Sequence, residues 1–357
     1  MNTNCFNFLK EKDFISPNLL KNKFNIYKNI NINILEYRNI ISNIINKLDN
    51  RLLIICGPCS VNNRESLIEY ANNFKNLSLK VNDYLYLVIR AYYEKPRTTV
   101  GWKGIIYDPD INGSNDIEKG IYTFREILLD LFNISIPVAS EILNPIFIRY
   151  FGDLLSWVSI GARTSESQIH REIISGLNIP VGFKNSTDGS IDSCVNSIIS
   201  SKNSHNFIYI NEYGKLSYVK TLGNLNSHII LRGGKNGPNY FYENIDEYIK
   251  ILDKNKLNKS ILIDCSHDNS NKNYKNQINV VNNIIKQLKN NKYIIGLMIE
   301  SNLNEGNQSF DLYDKNKNIK YGVSITDSCI NWKDTEDLIY KIYYEYKNIC
   351  NNRQNEK

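Results

Sequence analysis

Several things are missing from this 357-residue chain, and each absence narrows the answer. No apolar run is long enough to span a bilayer, and residues 1–14 carry no basic segment followed by an apolar stretch. The seven cysteines are odd in number and irregularly spaced, which argues against a disulfide framework in a chain this long. The expectation is a protein of a reducing, cytoplasmic compartment. There is no dense basic run, so neither nucleic acid nor membrane is expected as a partner; the net charge of +6 is a mild excess of 43 Lys+Arg over 37 Asp+Glu. No Gly/Pro/Ser-rich linker and no internal repeat divides the chain. The abundant Asn, Ile, Lys and Tyr fit an AT-rich codon bias and carry no functional weight.

What is present is a rhythm. Residues 1–48 read as a polar, Asn-rich arm ending in a helix-period pattern through Ile40, Ile41, Ile44, Ile45 and Leu48. From Arg51 onward, short apolar runs recur at 52–56, 84–89, 136–140, 157–160, 180–183, 228–231, 260–263 and 294–299, each followed by a polar turn and a longer helical pattern. Strands alternating with helices imply parallel βαβ units, and eight of them predict an α/β fold of the closed (β/α)8 (TIM) barrel type over residues 49–349. An open doubly wound sheet competes, but no GxGxxG turn follows the first strand. Runs at 207–211 and 216–221 around Glu212-Tyr213-Gly214-Lys215 predict a β-hairpin (about 207–221) inserted before the sixth barrel strand. Residues 350–357 read as a polar, frayed tail.

The polar residues fall in phase with this rhythm. The eight runs lead in turn to Cys59, Arg90, Glu141, Arg163, Lys184, Arg232, His267 and Glu300. In a barrel the C-terminal strand ends converge on one mouth, where active sites lie. Any one of these residues alone could be a rim ion pair; eight in phase point to a site. Arg90, Lys95, Arg97, Arg163, Lys184 and Arg232 form a cationic set, costly to gather unless anions neutralise it, and Arg suits phosphate and carboxylate through its planar fork. In the segment Glu94-Lys95-Pro96-Arg97-Thr98-Thr99, two cations and two hydroxyls can surround a phosphate, although alone it is also an ordinary basic loop. The second set is Cys59, His267, Glu300 and, beyond the last strand, Asp327: thiolate, imidazole and carboxylates able to hold a divalent metal. Spacing alone does not establish that site, since a buried Cys, a hydrogen-bonded His and a capping Asp are each commonplace. The pair Cys56–Cys59 is a CxxC, but no second CxxC exists, and Cys56 reads as strand filling. Cys265 lies two residues before His267, so strand alternation places both on one face. Of the four histidines only His267 follows a strand at the mouth; His228 reads as structural, His170 lies in the helix after Gly161-Ala162-Arg163-Thr164, and His205 sits on the approach to the hairpin.

The motifs Cys56-Gly57-Pro58-Cys59-Ser60, Glu94 through Gly104, Gly161-Ala162-Arg163-Thr164-Ser165-Glu166-Ser167-Gln168, Gly182-Phe183-Lys184-Asn185, Leu231-Arg232-Gly233-Gly234-Lys235 and Glu305-Gly306-Asn307-Gln308 closely resemble the class I 3-deoxy-D-arabino-heptulosonate 7-phosphate (DAHP) synthases, in order along nearly the whole chain. The resemblance implies condensation of phosphoenolpyruvate with erythrose 4-phosphate and water, releasing phosphate, at the first step of the shikimate pathway. It implies that Cys59, His267, Glu300 and Asp327 bind one divalent metal (Mn, Fe, Co or Zn). It implies further that Arg90, Lys95, Arg163, Lys184 and Arg232 bind phosphoenolpyruvate and that Arg97 and Thr98 take the aldose phosphate. Cys59, Lys95, Lys184, His267 and Asp327 are then the residues closest to catalysis, with Glu141 beside them. A homodimer or homotetramer through the arm and hairpin is expected. Feedback-inhibited members carry an acid where this chain has Asn144 and an amide where it has Arg149, and the phenylalanine-sensitive form has a small hydroxyl where it has Tyr209. Weak or absent inhibition by aromatic amino acids is therefore expected. The nearest rivals are 3-deoxy-manno-octulosonate 8-phosphate synthase, against which the Lys-Pro-Arg-Thr-Thr segment and the hairpin argue, and a catalytically dead barrel.

Overall fold

Apolar runs too short for helices and buried on both faces build the centre of the molecule. The structure, a computed structural model, describes residues 7–24, 28–97, 99–309 and 318–355. The chain runs α1 (Pro17–Lys23), α2 (Lys28–Ile45), β1 (Leu52–Gly57), α3 (Arg64–Val81), β2 (Leu85–Arg90), α4 (Ile117–Asn133), β3 (Val138–Glu141), α5 (Ile148–Phe151), β4 (Trp157–Ile160), α6 (Gln168–Ser175) and β5 (Val181–Lys184). It continues through α7 (Asp192–Ser201), the hairpin β6 (Asn206–Ile210) and β7 (Leu216–Lys220), β8 (Ser227–Leu231), α8 (Tyr242–Lys254), β9 (Ile261–Asp264), α9 (Asn276–Leu288), β10 (Ile294–Glu300) and α10 (Trp332–Asn355). Eight strands close into a parallel barrel in the order β1-β10-β9-β8-β5-β4-β3-β2, while β6 and β7 pair antiparallel outside it. The (β/α)8 expectation holds, hairpin included. Every residue of β1 and of β10 is buried, as parallel strands covered by helices require.

Side-chain caps open some of the helices. Asn63 accepts from Ser66 N to open α3, and Asp116 accepts from Lys119 N to open α4. Helix α2 closes one end of the barrel. Its Ile41, Ile44 and Ile45 join Leu53, Ile55, Val88, Trp157 and Leu262 in one buried cluster beneath the strands' N-terminal ends. Ser260 Oγ and Asn258 Nδ2 donate to the Ile45 carbonyl at 2.6 and 3.0 Å and fix this floor.

Two expectations need correcting. Leu48 does not extend the α2 stripe: the helix ends at Ile45, Lys47 takes a left-handed φ of 60°, and Leu48 is 78% exposed. Nor is the chain frayed from residue 350. Helix α10 runs to Asn355, and Arg353 anchors it by donating to the Leu288 carbonyl at 2.5 Å. Among the described residues, no helix is long and apolar enough to cross a membrane.

Candidate active site at the barrel mouth

Strand β1 delivers the first residue of the site. At its end Gly57 has φ 153°, and a Cβ there would lie 2.7 Å from the Arg90 carbonyl, so glycine lets β1 and β2 close up just before the Pro58-Cys59 turn. Arg90, 1% exposed, fastens that turn: it donates to the carbonyls of Pro58 and Cys59 at 3.1 and 3.2 Å and to Glu300 Oε1 at 2.9 Å. Its guanidinium stacks 3.6 Å from the centre of the Tyr92 ring. Glu300, the last residue of β10, is fully buried and also accepts from Ser266 Oγ at 2.8 Å. Strands β1 and β10 pair with Gly57 opposite Glu300, so Cys59 and Glu300 meet although they lie near opposite ends of the chain.

The ligand atoms of Cys59, Glu300 and Asp327 all lie within 4.8 Å of one another. Cys59 Sγ is 3.6 Å from Asp327 Oδ2, and the Lys95 ammonium donates to both, at 2.8 and 2.7 Å. Burial, reinforced by the Glu300 charge, pushes the Cys59 thiol up to about 11. Burial alone would lower Lys95, but Cys59, Asp327 and Glu300 hold it above its ordinary value. A thiol, an imidazole and two carboxylates, with Cys59 and Glu300 buried and Asp327 exposed, suit a divalent cation, whose charge would offset the crowded acids and favour the thiolate. His267 stands at the edge of this group, with Nε2 4.0 Å from Glu300 Oε1. It occupies the left-handed region at φ 54°, a conformation that costs a non-glycine residue energy and clusters at functional sites.

That conformation overturns one expectation. His267 lies in a short 3-10 turn beyond β9, so strand alternation does not reach it and Cys265 does not share its face. The neighbour is instead Asp264, the fully buried last residue of β9, whose Oδ2 lies 2.9 Å from His267 Nδ1 and 3.5 Å from Lys184 Nζ. Burial acts to raise the Asp264 carboxyl, yet His267, Lys184 and Arg90 hold it far below the usual carboxylate range. Lys184 also lies 3.7 Å from Glu141 Oε2. Arg232 pairs with Asp268 at 2.7 Å. Arg97 and Arg163 are exposed at the rim, and a Cβ at Gly101 would collide with the folded-back Arg97 guanidinium. Thr98 lies outside the described residues.

Sequence reasoning missed Asp264, Asp268 and Tyr92, and it saw Glu94 only as part of a motif. Glu94 is 2% exposed; burial pushes its carboxyl up to about 7 although it accepts from Asn144 N and Tyr107 Oη, each at 3.0 Å. It thereby ties the Lys95 segment to the loop after β3. A charged residue closing an otherwise apolar strand, as Asp264 does, was the available signal.

A second cavity, of about 240 Å³, lies between the barrel and the hairpin, lined by Arg149, Phe207, Tyr209 and Val219 among others. Arg149 stacks 5.0 Å from the Tyr209 ring and lies 3.6 Å from Glu212, while Tyr209 Oη donates to the Pro145 carbonyl. Asn144 is engaged locally, accepting from Ile146 N at 3.0 Å.

With this geometry in place, four likenesses bear on it. Residues 27–339 match the DAHP synthetase I family. The chain is 47% identical, over 336 residues, to the phospho-2-dehydro-3-deoxyheptonate aldolase, Tyr-sensitive, of Escherichia coli strain K12, covering 94% of each chain. It is 42% identical over 332 residues to the Phe-sensitive enzyme of the same organism, covering 93% of this chain and 94% of that one. The solved phospho-2-dehydro-3-deoxyheptonate aldolase of Francisella tularensis SCHU S4 superposes with a TM-score of 0.92 at 40% identity, covering 96% of this chain and 99% of that one.

Proposed function

Because the chain belongs to the DAHP synthetase I family, we propose that its barrel mouth condenses phosphoenolpyruvate with erythrose 4-phosphate and water, giving DAHP and phosphate. The activity is that of a DAHP synthase, a transferase of aromatic amino acid biosynthesis. The observation that carries the reading is the meeting, at one end of the barrel, of a Cys/Glu/Asp ligand group with Lys95, Lys184 and Arg232.

Cys59, Glu300 and Asp327, with His267, hold a divalent cation of the Mn, Fe, Co or Zn group. When bound it supplies Lewis-acid polarisation of the aldehyde, which the weakly nucleophilic enol carbon needs. Lys184 and Arg232, with Arg163, take the anionic groups of phosphoenolpyruvate. Lys95, which donates to Cys59 and Asp327 of the ligand group, brings a charge that would stabilise the oxyanion formed from the aldehyde. Arg97, with Thr98, receives the aldose phosphate at the rim. Two tethered phosphates bring the reacting carbons into one orientation and remove much of the entropic cost of the encounter. Arg90 keeps the Cys59 turn and Glu300 in place. Glu141, 3.7 Å from the Lys184 ammonium, balances that charge beside the phosphoenolpyruvate position.

The site works in a homodimer or homotetramer. The hairpin's outer face exposes Ile208, Leu216 and Tyr218, each more than 70% accessible, an apolar stripe that a second copy would cover. Light scattering on the wild type and on Leu216→Asp/Tyr218→Asp tests this; a wild-type monomer refutes it.

The activity is tested by phosphoenolpyruvate consumption with erythrose 4-phosphate. Turnover should cease in chelator and return with Mn2+. Turnover indifferent to chelator, or selective for arabinose 5-phosphate, overturns the reading.

A further inference from the structure

The geometry points to Asp264 as the positioning residue that selects the metal-binding tautomer of His267 while steadying the Lys184 ammonium. This rests on the reading that His267 is a metal ligand. The starting observation is a carboxylate with no exposure at all, placed between an imidazole and an ammonium that belong to two different halves of the site. A buried carboxylate needs partners of opposite charge or hydrogen-bond donors. Asp264 Oδ1 accepts from Ser266 N at 3.1 Å, and Oδ2 faces His267 Nδ1 at 2.9 Å and Lys184 Nζ at 3.5 Å.

A neutral imidazole carries one proton. If it sits on Nδ1, facing Asp264, the lone pair is on Nε2, the nitrogen turned toward Glu300. If it sits on Nε2, the ring cannot ligate there and Nδ1 places a lone pair against a carboxylate. Asp264 therefore favours the ligating form. The 2.9 Å approach is short but not aligned as a hydrogen bond, because Nδ1 and Oδ2 both remain without one. Carboxylates that orient a ligating histidine in this way raise its basicity, and their loss costs metal affinity without removing a ligand. The second contact gives the same carboxylate a hold on Lys184, whose remaining acidic neighbour, Glu141, is at 3.7 Å. Loss of Asp264 should therefore disturb phosphoenolpyruvate binding as well as the metal.

The test uses the full-length protein and two readouts that do not require turnover. Mn2+ affinity is measured by chelator competition, and the His267 tautomer by 15N NMR on histidine-labelled protein, which is tractable because the chain has four histidines. Asp264→Asn should weaken Mn2+ about 10- to 100-fold, shift the His267 nitrogens away from the Nδ1-protonated pattern and raise the KM for phosphoenolpyruvate. His267→Ala should weaken Mn2+ further. If His267→Ala binds Mn2+ as the wild type does, the ligand reading itself fails, and this inference with it. If His267→Ala loses Mn2+ while Asp264→Asn stays within twofold and keeps the wild-type nitrogen shifts, the ligand reading stands and the inference is overturned. Should Asp264→Asn not fold because Lys184 is left underpaired, Asp264→Asn/Lys184→Met compared with Lys184→Met reads the same difference.

Discussion

Two histidines sit at opposite ends of one barrel. His267 follows β9 at the mouth, in a left-handed turn, 2.9 Å from Asp264 and 4.0 Å from Glu300. His228 begins β8 near the floor, fully buried, its ring 5.8 Å from that of Trp157, and among the described residues neither of its nitrogens has a hydrogen-bond partner. Burial pushes His228 down to about 3, so at neutral pH it is an uncharged ring filling space. The same side chain meets opposed charges at one end and an apolar setting at the other, because the mouth gathers acids and cations while the floor is built from Ile41, Ile44, Ile45 and their apolar neighbours. The cations of the mouth are not left to the substrates alone. Glu300, Asp264, Glu141 and Asp268 each face one of them, so the charge of the mouth is already partly balanced by the protein's own acids.

The sharpest way to break this contrast is at the ligand group. Cys59→Ala should lower kcat/KM on the order of 10³-fold or more, the equivalent of several kcal/mol of lost Lewis-acid stabilisation, while the melting temperature without metal stays near wild type. A fully active Cys59→Ala would refute the assignment. The floor should respond in the opposite manner. Ile44→Ala should cost about 2–5 kcal/mol of stability in denaturant titration, with Mn2+ affinity of the folded protein unchanged; parallel loss of both would erase the distinction between the two ends. Arg232→Ala, which removes charge-assisted hydrogen bonds worth about 1.5–3 kcal/mol, should raise the KM for phosphoenolpyruvate more than it lowers kcat in steady-state kinetics.

His228 offers a subtler probe. Its folded-state value of about 3 lies below that of a free imidazole, so folding favours the neutral ring. The stability this gives is complete above pH ~6.5 and is lost as the pH falls toward 3, by about 1.4 kcal/mol per unit. His228→Leu should flatten that part of the curve in urea titrations run between pH 6.5 and 4; an unchanged slope would mean the ring is not held neutral. The smallest effect is expected at the hairpin cavity. Calorimetric titration with phenylalanine, tyrosine or tryptophan should show no micromolar binding, because Asn144 is an amide, Tyr209 is turned to Pro145, and the acids that line the cavity are already paired, Glu212 with Lys21 and Asp153 with Arg125. Relatives named Tyr-sensitive and Phe-sensitive make this the prediction most open to refutation.

The barrel was legible because buried parallel strands read as unbroken apolar runs, and because four of those strands end on Arg90, Glu141, Lys184 and Glu300 themselves. The hairpin was legible from its turn. Asp264 was not, since the period-2 rule that drew attention to Cys265 stops where His267 takes a positive φ. The contact of Lys95 with both Cys59 and Asp327 is likewise invisible in one dimension, because it joins three loops that only barrel closure brings together. The amphipathic stripe of α2 showed a buried face but not that the face would close the floor.

The pairing of β1 with β10 has a consequence for how the protein is made. Cys59 leaves the ribosome early, but Glu300 and Asp327 are among the last parts of the barrel to be synthesised, and the ring closes where these residues meet. On the ligand reading proposed above, a nascent or truncated chain that ends before β10 would offer the thiol without Glu300 and Asp327, and a lone thiol holds a cation poorly. Full metal affinity would then arrive with the joining of the first and last strands, and capture of the ion would mark the completion of the barrel.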